Sequence, residues 1–229
     1  MTRRSGSKLL LVVVAVGLML LGGRLDHGHS RASTAPGMYV IGDSWTTGYG
    51  ADPSRTWAQD AARELGLHLE TDAAGGTGYL NGAGVDGGTY VQRALAMPAG
   101  AHPDLIVLQG GSNDVTENLA GLRQAVEATV AAIRARSGAT RIVILGPGLD
   151  VQPEPSTYRT VDAALAAVAR SDHIPYISML QEGWITDSNF QEIIDPATGH
   201  PSVRGHAYLA SRFTKDVAGT TLWPHPPAR

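Results

Sequence analysis

Met38-Tyr39-Val40-Ile41-Gly42-Asp43-Ser44 is a short apolar run that stops on Gly-Asp-Ser. A near-continuous run of this length suits a strand covered on both faces, as in a parallel sheet. Residues 105–108, 142–145 and 175–178 repeat the pattern, and the weaker alternating run 67–71 reads as a fifth strand at an edge. Between them lie helical patterns. Residues 55–65 place Trp57, Ala58, Ala61, Ala62 and Leu65 on one face, and residues 119–136 repeat apolar positions at intervals of three and four. Residues 160–169 are alanine-rich, and residues 202–217 close the series. Alternating strands and helices predict an α/β chain: a three-layer α/β/α sandwich on a mostly parallel, flavodoxin-like sheet of five strands.

In such a sheet, ligands bind beyond the carboxyl ends of the strands. Ser44 follows the first strand, Gly76 (in Gly75-Gly76-Thr77) the second, and Asn113 (in Gly111-Ser112-Asn113-Asp114) the third. The topology therefore brings together residues that sequence spacing alone would not.

Composition narrows the classes. With 229 residues, 43% hydrophobic and 17% charged, the chain suits one well-buried globular domain and shows no solenoid period. It has no cysteine, which removes disulfides, thiolate zinc sites, cysteine nucleophiles and a lipid-modified cysteine anchor. Arg3, Arg4 and Lys8 precede the apolar run Leu9 to Leu21, the layout of a secretory signal. Residues 1–23 are expected to be a signal peptide or an uncleaved membrane anchor, although the run is short for a span of ~20 apolar residues. Residues 24–37 read as a linker, in which His27 and His29 are expected to be solvated rather than metal-binding. Residues 38–229 form the expected domain. Five of the 18 Lys and Arg and one of the 21 Asp and Glu precede Gly37, so the remainder carries a net charge of −7. An acidic domain without a basic stripe argues against nucleic acid.

Each candidate residue has a bland use and a chemical one. Ser44 sits where a serine caps a helix well, yet with a neighbouring base it becomes a nucleophile. Gly76 lies among seven glycines in residues 73–88; it can be ordinary loop, or it can bring a backbone N–H close to an oxyanion. The segment is no phosphate loop, because Asn81 stands where a third glycine belongs and no Gly-Lys-Ser/Thr follows. Asn113 can cap a helix or donate its amide to an oxyanion. His200, in a loop before the last helix, can turn back over the sheet edge as a base. His206 lies inside that helix pattern and reads as packed or capping.

Together these segments resemble the SGNH (GDSL-type) hydrolase superfamily, from about Met38 to Phe213. Gly42-Asp43-Ser44 resembles its first block, Gly76 the glycine of its second, and Gly111-Ser112-Asn113-Asp114 its Gly-x-Asn-Asp block. His200-Pro201 with Gly205-His206 resembles its last. The resemblance implies an α/β/α serine esterase with Ser44 as nucleophile and His200 as base. Its oxyanion hole would be built from Ser44, Gly76 and Asn113, with no metal or organic cofactor. The Gly-x-Ser-x-Gly elbow of other hydrolases is absent around Ser44. One departure stands out: the family places an aspartate three residues before the histidine, and here that position is Ala197. Asp195 is the expected third member of the triad, ahead of Asp187 and Glu192; the alternative is a backbone carbonyl holding the ring in a dyad.

The substrate reading is thinner. Trp45 and Tyr79, with Tyr49 and Trp184, fall near the expected loop edge, where aromatic faces can stack on sugars or simply pack. Aromatics make up 6% of the chain, so no wide apolar surface for lipid aggregates is expected. The expected partner is an ester substrate: an acylated envelope carbohydrate, a glycolipid or a small ester. Alternatives are a lipase or acyltransferase using the same site, a non-catalytic glycan-binding module, and a nucleotide binder, which the missing phosphate fingerprint disfavours.

Overall fold

The computed structural model describes residues 37–84, 87–138 and 140–218; the expected leader and most of the linker lie outside them. In chain order the elements are β1 (Gly37–Gly42), α1 (Ser44–Thr47), α2 (Trp57–Leu65), β2 (His68–Ala73) and α3 (Tyr90–Ala96). Then come β3 (Leu105–Gln109), α4 (Leu122–Ser137), β4 (Arg141–Leu145), α5 (Ser156–Ser171) and β5 (Tyr176–Ile177). The last are α6 (Phe190–Ile193), β6 (Ile194–Asp195), β7 (His200–Pro201) and α7 (Val203–Ala218). Two 3₁₀ turns, Ser112–Asp114 and Leu119–Gly121, lie between β3 and α4.

The five main strands pair in parallel in the order β2-β1-β3-β4-β5. This is the flavodoxin-like order, and the direction of winding reverses around β1 and β3. The expected edge strand is indeed at one edge. Side-chain parity explains the layers, because successive residues of a strand face opposite sides. Met38, Val40, Leu105, Val107, Val143 and Leu145 pack with Trp57, Ala61, Leu209 and Phe213 of α2 and α7. Tyr39, Ile41, Ile106, Leu108, Ile142 and Ile144 pack with residues of α3, α4 and α5, among them Tyr90, Val126, Val130 and Leu165. Each inner strand is thus apolar on both faces, which is why it reads as a continuous run. Truncating one such side chain, for example Ile41→Ala, costs about 2–5 kcal/mol in sites of this kind.

Local signals set the ends of α2. Thr56 and Gln59 exchange reciprocal bonds at its start (3.4 and 2.8 Å), and Gly66 ends it in the left-handed region. Among the described residues, no helix is long and apolar enough to cross a membrane.

Candidate active site

Beyond β1 the chain turns directly into α1. Asp43 caps this turn by accepting the Trp45 N–H at 2.9 Å, so Ser44 opens the helix with its own N–H unused by other protein groups among the described residues. The Asp43 carboxylate is buried, and one of its oxygens has no partner. Burial pushes its carboxyl up to about 7, against the opposing pull of the Trp45 and Gln109 hydrogen bonds. A relay fixes the turn from beneath: the Trp57 indole N–H donates to Thr46 Oγ1 (3.3 Å), which donates to Gln109 Oε1 at the end of β3 (2.6 Å).

His200 reaches Ser44 from the β6–β7 hairpin. Its Nε2 lies 2.8 Å from Ser44 Oγ, and its Nδ1 lies 2.7 Å from the Thr198 carbonyl oxygen. A carbonyl can only accept, so Nδ1 carries the proton and Nε2 presents a lone pair to the serine hydroxyl. That is the tautomer a general base requires.

Asp195, expected on the imidazole, is not there. It is the register partner of His200 in the hairpin, but its carboxylate turns to accept the Ala197 N–H at 2.9 Å, closing an Asx turn over the loop. The expected alternatives are also occupied elsewhere: Asp187 accepts from Gln152 and Glu192 pairs with Arg204. The hairpin supplies a backbone acceptor in place of a side chain.

The expected oxyanion donors gather at the same edge. Gly76 has φ of +73°, and neither its N–H nor that of Gly75 donates to a protein group among the described residues. Gly75 is the nearer to the serine, since a Cβ there would lie 3.8 Å from Ser44 Cβ. Asn113 Nδ2 donates to the Thr77 carbonyl at 2.9 Å, which fixes which way the amide points and leaves its second N–H free. Asp114 does work that the sequence did not disclose. Fully buried, it accepts N–H groups of Tyr79, Leu80 and Asn81 at 3.0, 2.8 and 3.1 Å, pinning the glycine-rich loop that carries Gly76. Burial raises its carboxyl, and these amide bonds oppose the rise.

The aromatic expectations change. Trp45 and Tyr79, expected on the substrate face, are 3% and 1% exposed. The Trp45 ring fills the space beside Gly148, where a Cβ would fall 2.1 Å from the indole, and Tyr79 packs on Tyr90 with ring centroids 4.8 Å apart. Trp184 is buried as well. Tyr49 is the aromatic at the surface: 61% exposed, its ring meets His200 edge-on at 4.8 Å. His206 is buried in α7 and accepts the Trp57 N–H at 3.2 Å, capping α2. Among the described residues no cluster of three or more His, Asp or Glu side chains could hold a metal ion.

Comparisons with known proteins bear on the family and the fold. The model of the GDSL-like lipase/acylhydrolase family matches residues 40–208. No curated protein sequence matches the chain. Among solved structures, the chain is similar to a salicylyl-acyltransferase from a tetracycline biosynthetic pathway (25% identity, TM-score 0.62, covering 85% of this chain and 58% of that one). It also resembles in fold an active-site mutant of a family two carbohydrate esterase from Clostridium thermocellum (16% identity, TM-score 0.65, covering 82% and 65%). A lipolytic protein of the G-D-S-L family from Veillonella parvula matches at 17% identity and TM-score 0.64, covering 81% and 100%. The chain therefore spans less than two thirds of the length of the first two.

Proposed function

The chain belongs to the GDSL-like lipase/acylhydrolase family, and on that premise we propose that it is a serine esterase working through a Ser44–His200 pair. The observation that carries this reading is the 2.8 Å contact between Ser44 Oγ and His200 Nε2, with Nδ1 committed to a carbonyl. His200 takes the Ser44 proton as Oγ bonds to the ester carbonyl carbon. The developing oxyanion is met by the N–H of Ser44, by an N–H of the Gly75-Gly76 pair, of which Gly75 lies nearer the serine, and by the free N–H of Asn113. As the tetrahedral species collapses, the C–O bond to the alcohol breaks and His200 protonates the departing oxygen. Water, deprotonated by His200, then attacks the acyl-enzyme and frees the acid and Ser44. The Thr198 carbonyl keeps the ring oriented but adds no full charge, so the imidazolium is stabilised less than beside a carboxylate.

The substrate side of the proposal is an acyl ester, with acetyl esters of a carbohydrate or small alcohol favoured over long-chain lipid. Large exposed apolar side chains among the described residues are few: Tyr49, Leu95, Val151 and Val203. They offer little to a lipid aggregate. The basic and apolar start of the chain supports export, either released or held at a membrane by residues 9–21. Transfer of the acyl group to another alcohol in place of water uses the same residues, and the likeness to an acyltransferase supports keeping it as the second reading.

The test uses the full-length protein with p-nitrophenyl acetate, butyrate and octanoate. Turnover that falls with chain length and disappears in Ser44→Ala is expected. Equal rates in the folded wild type and variant would overturn the assignment.

A further inference from the structure

The loop between β4 and α5 brings to this site a carboxylate that the acyl-transfer steps do not use. Gly148 lies against the Trp45 ring, beside Ser44, and its carbonyl accepts the Ser112 hydroxyl at 3.1 Å, beside Asn113. The loop is thus clamped between the residues that follow β1 and those that follow β3, and Asp150 stands two residues further on. Asp150 is half-buried, and its carboxylate accepts the hydroxyl of Tyr158, itself buried in α5. No other side chain among the described residues donates to it. Burial pushes the Asp150 carboxyl up, while hydrogen bonds from Tyr158 and from its own backbone N–H, and then the charge of His200, pull it down. Tyr49 stands on His200 as well, its ring largely open to solvent.

Direction matters here. The alcohol oxygen of an ester departs towards the group that protonates it, His200. Side chains on the His200 side of Ser44 therefore meet the alcohol portion, whereas the Gly75-Gly76 pair and Asn113 meet the acyl carbonyl. We propose that Asp150, braced by Tyr158, and the ring of Tyr49 form a subsite for a polyhydroxylated alcohol, a sugar ring. The carboxylate accepts a sugar hydroxyl, and the aromatic face covers the ring's C–H surface. This rests on the serine-esterase reading above. A partly desolvated acceptor with a single side-chain donor favours a substrate that supplies another, and an alcohol without that hydroxyl leaves part of it unpaired.

Three acetyl esters isolate the alcohol side: methyl 6-O-acetyl-glucopyranoside, p-nitrophenyl acetate and acetylcholine, each with full-length wild type, D150N, Y158F, Y49A and S44A. The ratio of kcat/KM for the acetyl sugar to that for p-nitrophenyl acetate is expected to drop ~10- to 100-fold in D150N, the range of a hydrogen bond to a charged group. A smaller drop is expected in Y158F, and a rise in KM for the sugar in Y49A. An unchanged ratio in D150N overturns the subsite, whether both rates fall together or neither does. So does a wild type that cleaves p-nitrophenyl acetate through Ser44 but favours acetylcholine, or ignores the sugar ester. If S44A retains p-nitrophenyl acetate hydrolysis, the esterase reading itself fails, and the subsite with it.

Discussion

His200 can take a proton from Ser44 only with its Nε2 bare, and the Thr198 carbonyl imposes that state without any charged partner. Asp195 is then a turn-former. Asp195→Asn preserves an oxygen for the Ala197 N–H, so kcat is expected to stay within ~3-fold of wild type, whereas losing a carboxylate that holds a catalytic histidine costs ~10⁴-fold. Steady-state rates on p-nitrophenyl acetate decide between these. Asn113 carries the opposite expectation. Its amide already spends one N–H on Thr77, and in the proposed mechanism the other meets charge that appears only in the transition state. Asn113→Ala should lower kcat ~10²- to 10³-fold with little change in KM; a change confined to KM would place Asn113 in ground-state binding instead.

At the scale of elements, the site is held by contacts between segments far apart in sequence. His206 of α7 accepts the first N–H of α2. Burial is the chief reason that its imidazole is held down at about 4, well below the ordinary 6.5. The folded state thus favours the neutral ring, and its contribution is complete above pH 6.5 and lost as the pH falls through 4. His206→Leu leaves the Trp57 N–H unpaired, at a cost of about 1–3 kcal/mol. The variant should melt below wild type at pH 7.5, and the gap should narrow towards pH 4; a pH-independent gap would contradict this account. The same long-range character limits what a sequence discloses. The inner strands were legible because both faces are covered, and Ser44, Asn113 and His200 because strand ends converge. The seven-residue α3 hid among glycines, with too few turns to show a period. The burial of Trp45 and Tyr79 depends on partners, Gly148 and Tyr90, that no local pattern identifies. Asp150 did leave a signal, since it follows the fourth strand at the edge that carries Ser44, Gly76 and Asn113.

Across the whole molecule, acidity works against the fold as pH rises. Asp216 of α7 is pushed up to about 6 by burial and by the Glu182 carboxylate beside it, with Arg212 opposing. The folded state therefore holds this proton more tightly than the unfolded chain, and stability is lost as pH rises from about 4 through 6. Asp216→Asn should raise the Tm relative to wild type at pH 8 and leave it nearly unchanged at pH 4; no difference at pH 8 would show that the proton is not retained. The family fold and the convergence of three strand ends make one claim central: that Ser44 is a nucleophile activated by His200. Diisopropyl fluorophosphate tests it directly, because the activated Oγ displaces fluoride and keeps the phosphoryl group. Peptide mapping of full-length protein should find one adduct, on Ser44, in wild type and none in His200→Ala. A wild-type protein that stays unlabelled at Ser44, or labelling that persists unchanged without His200, would contradict it.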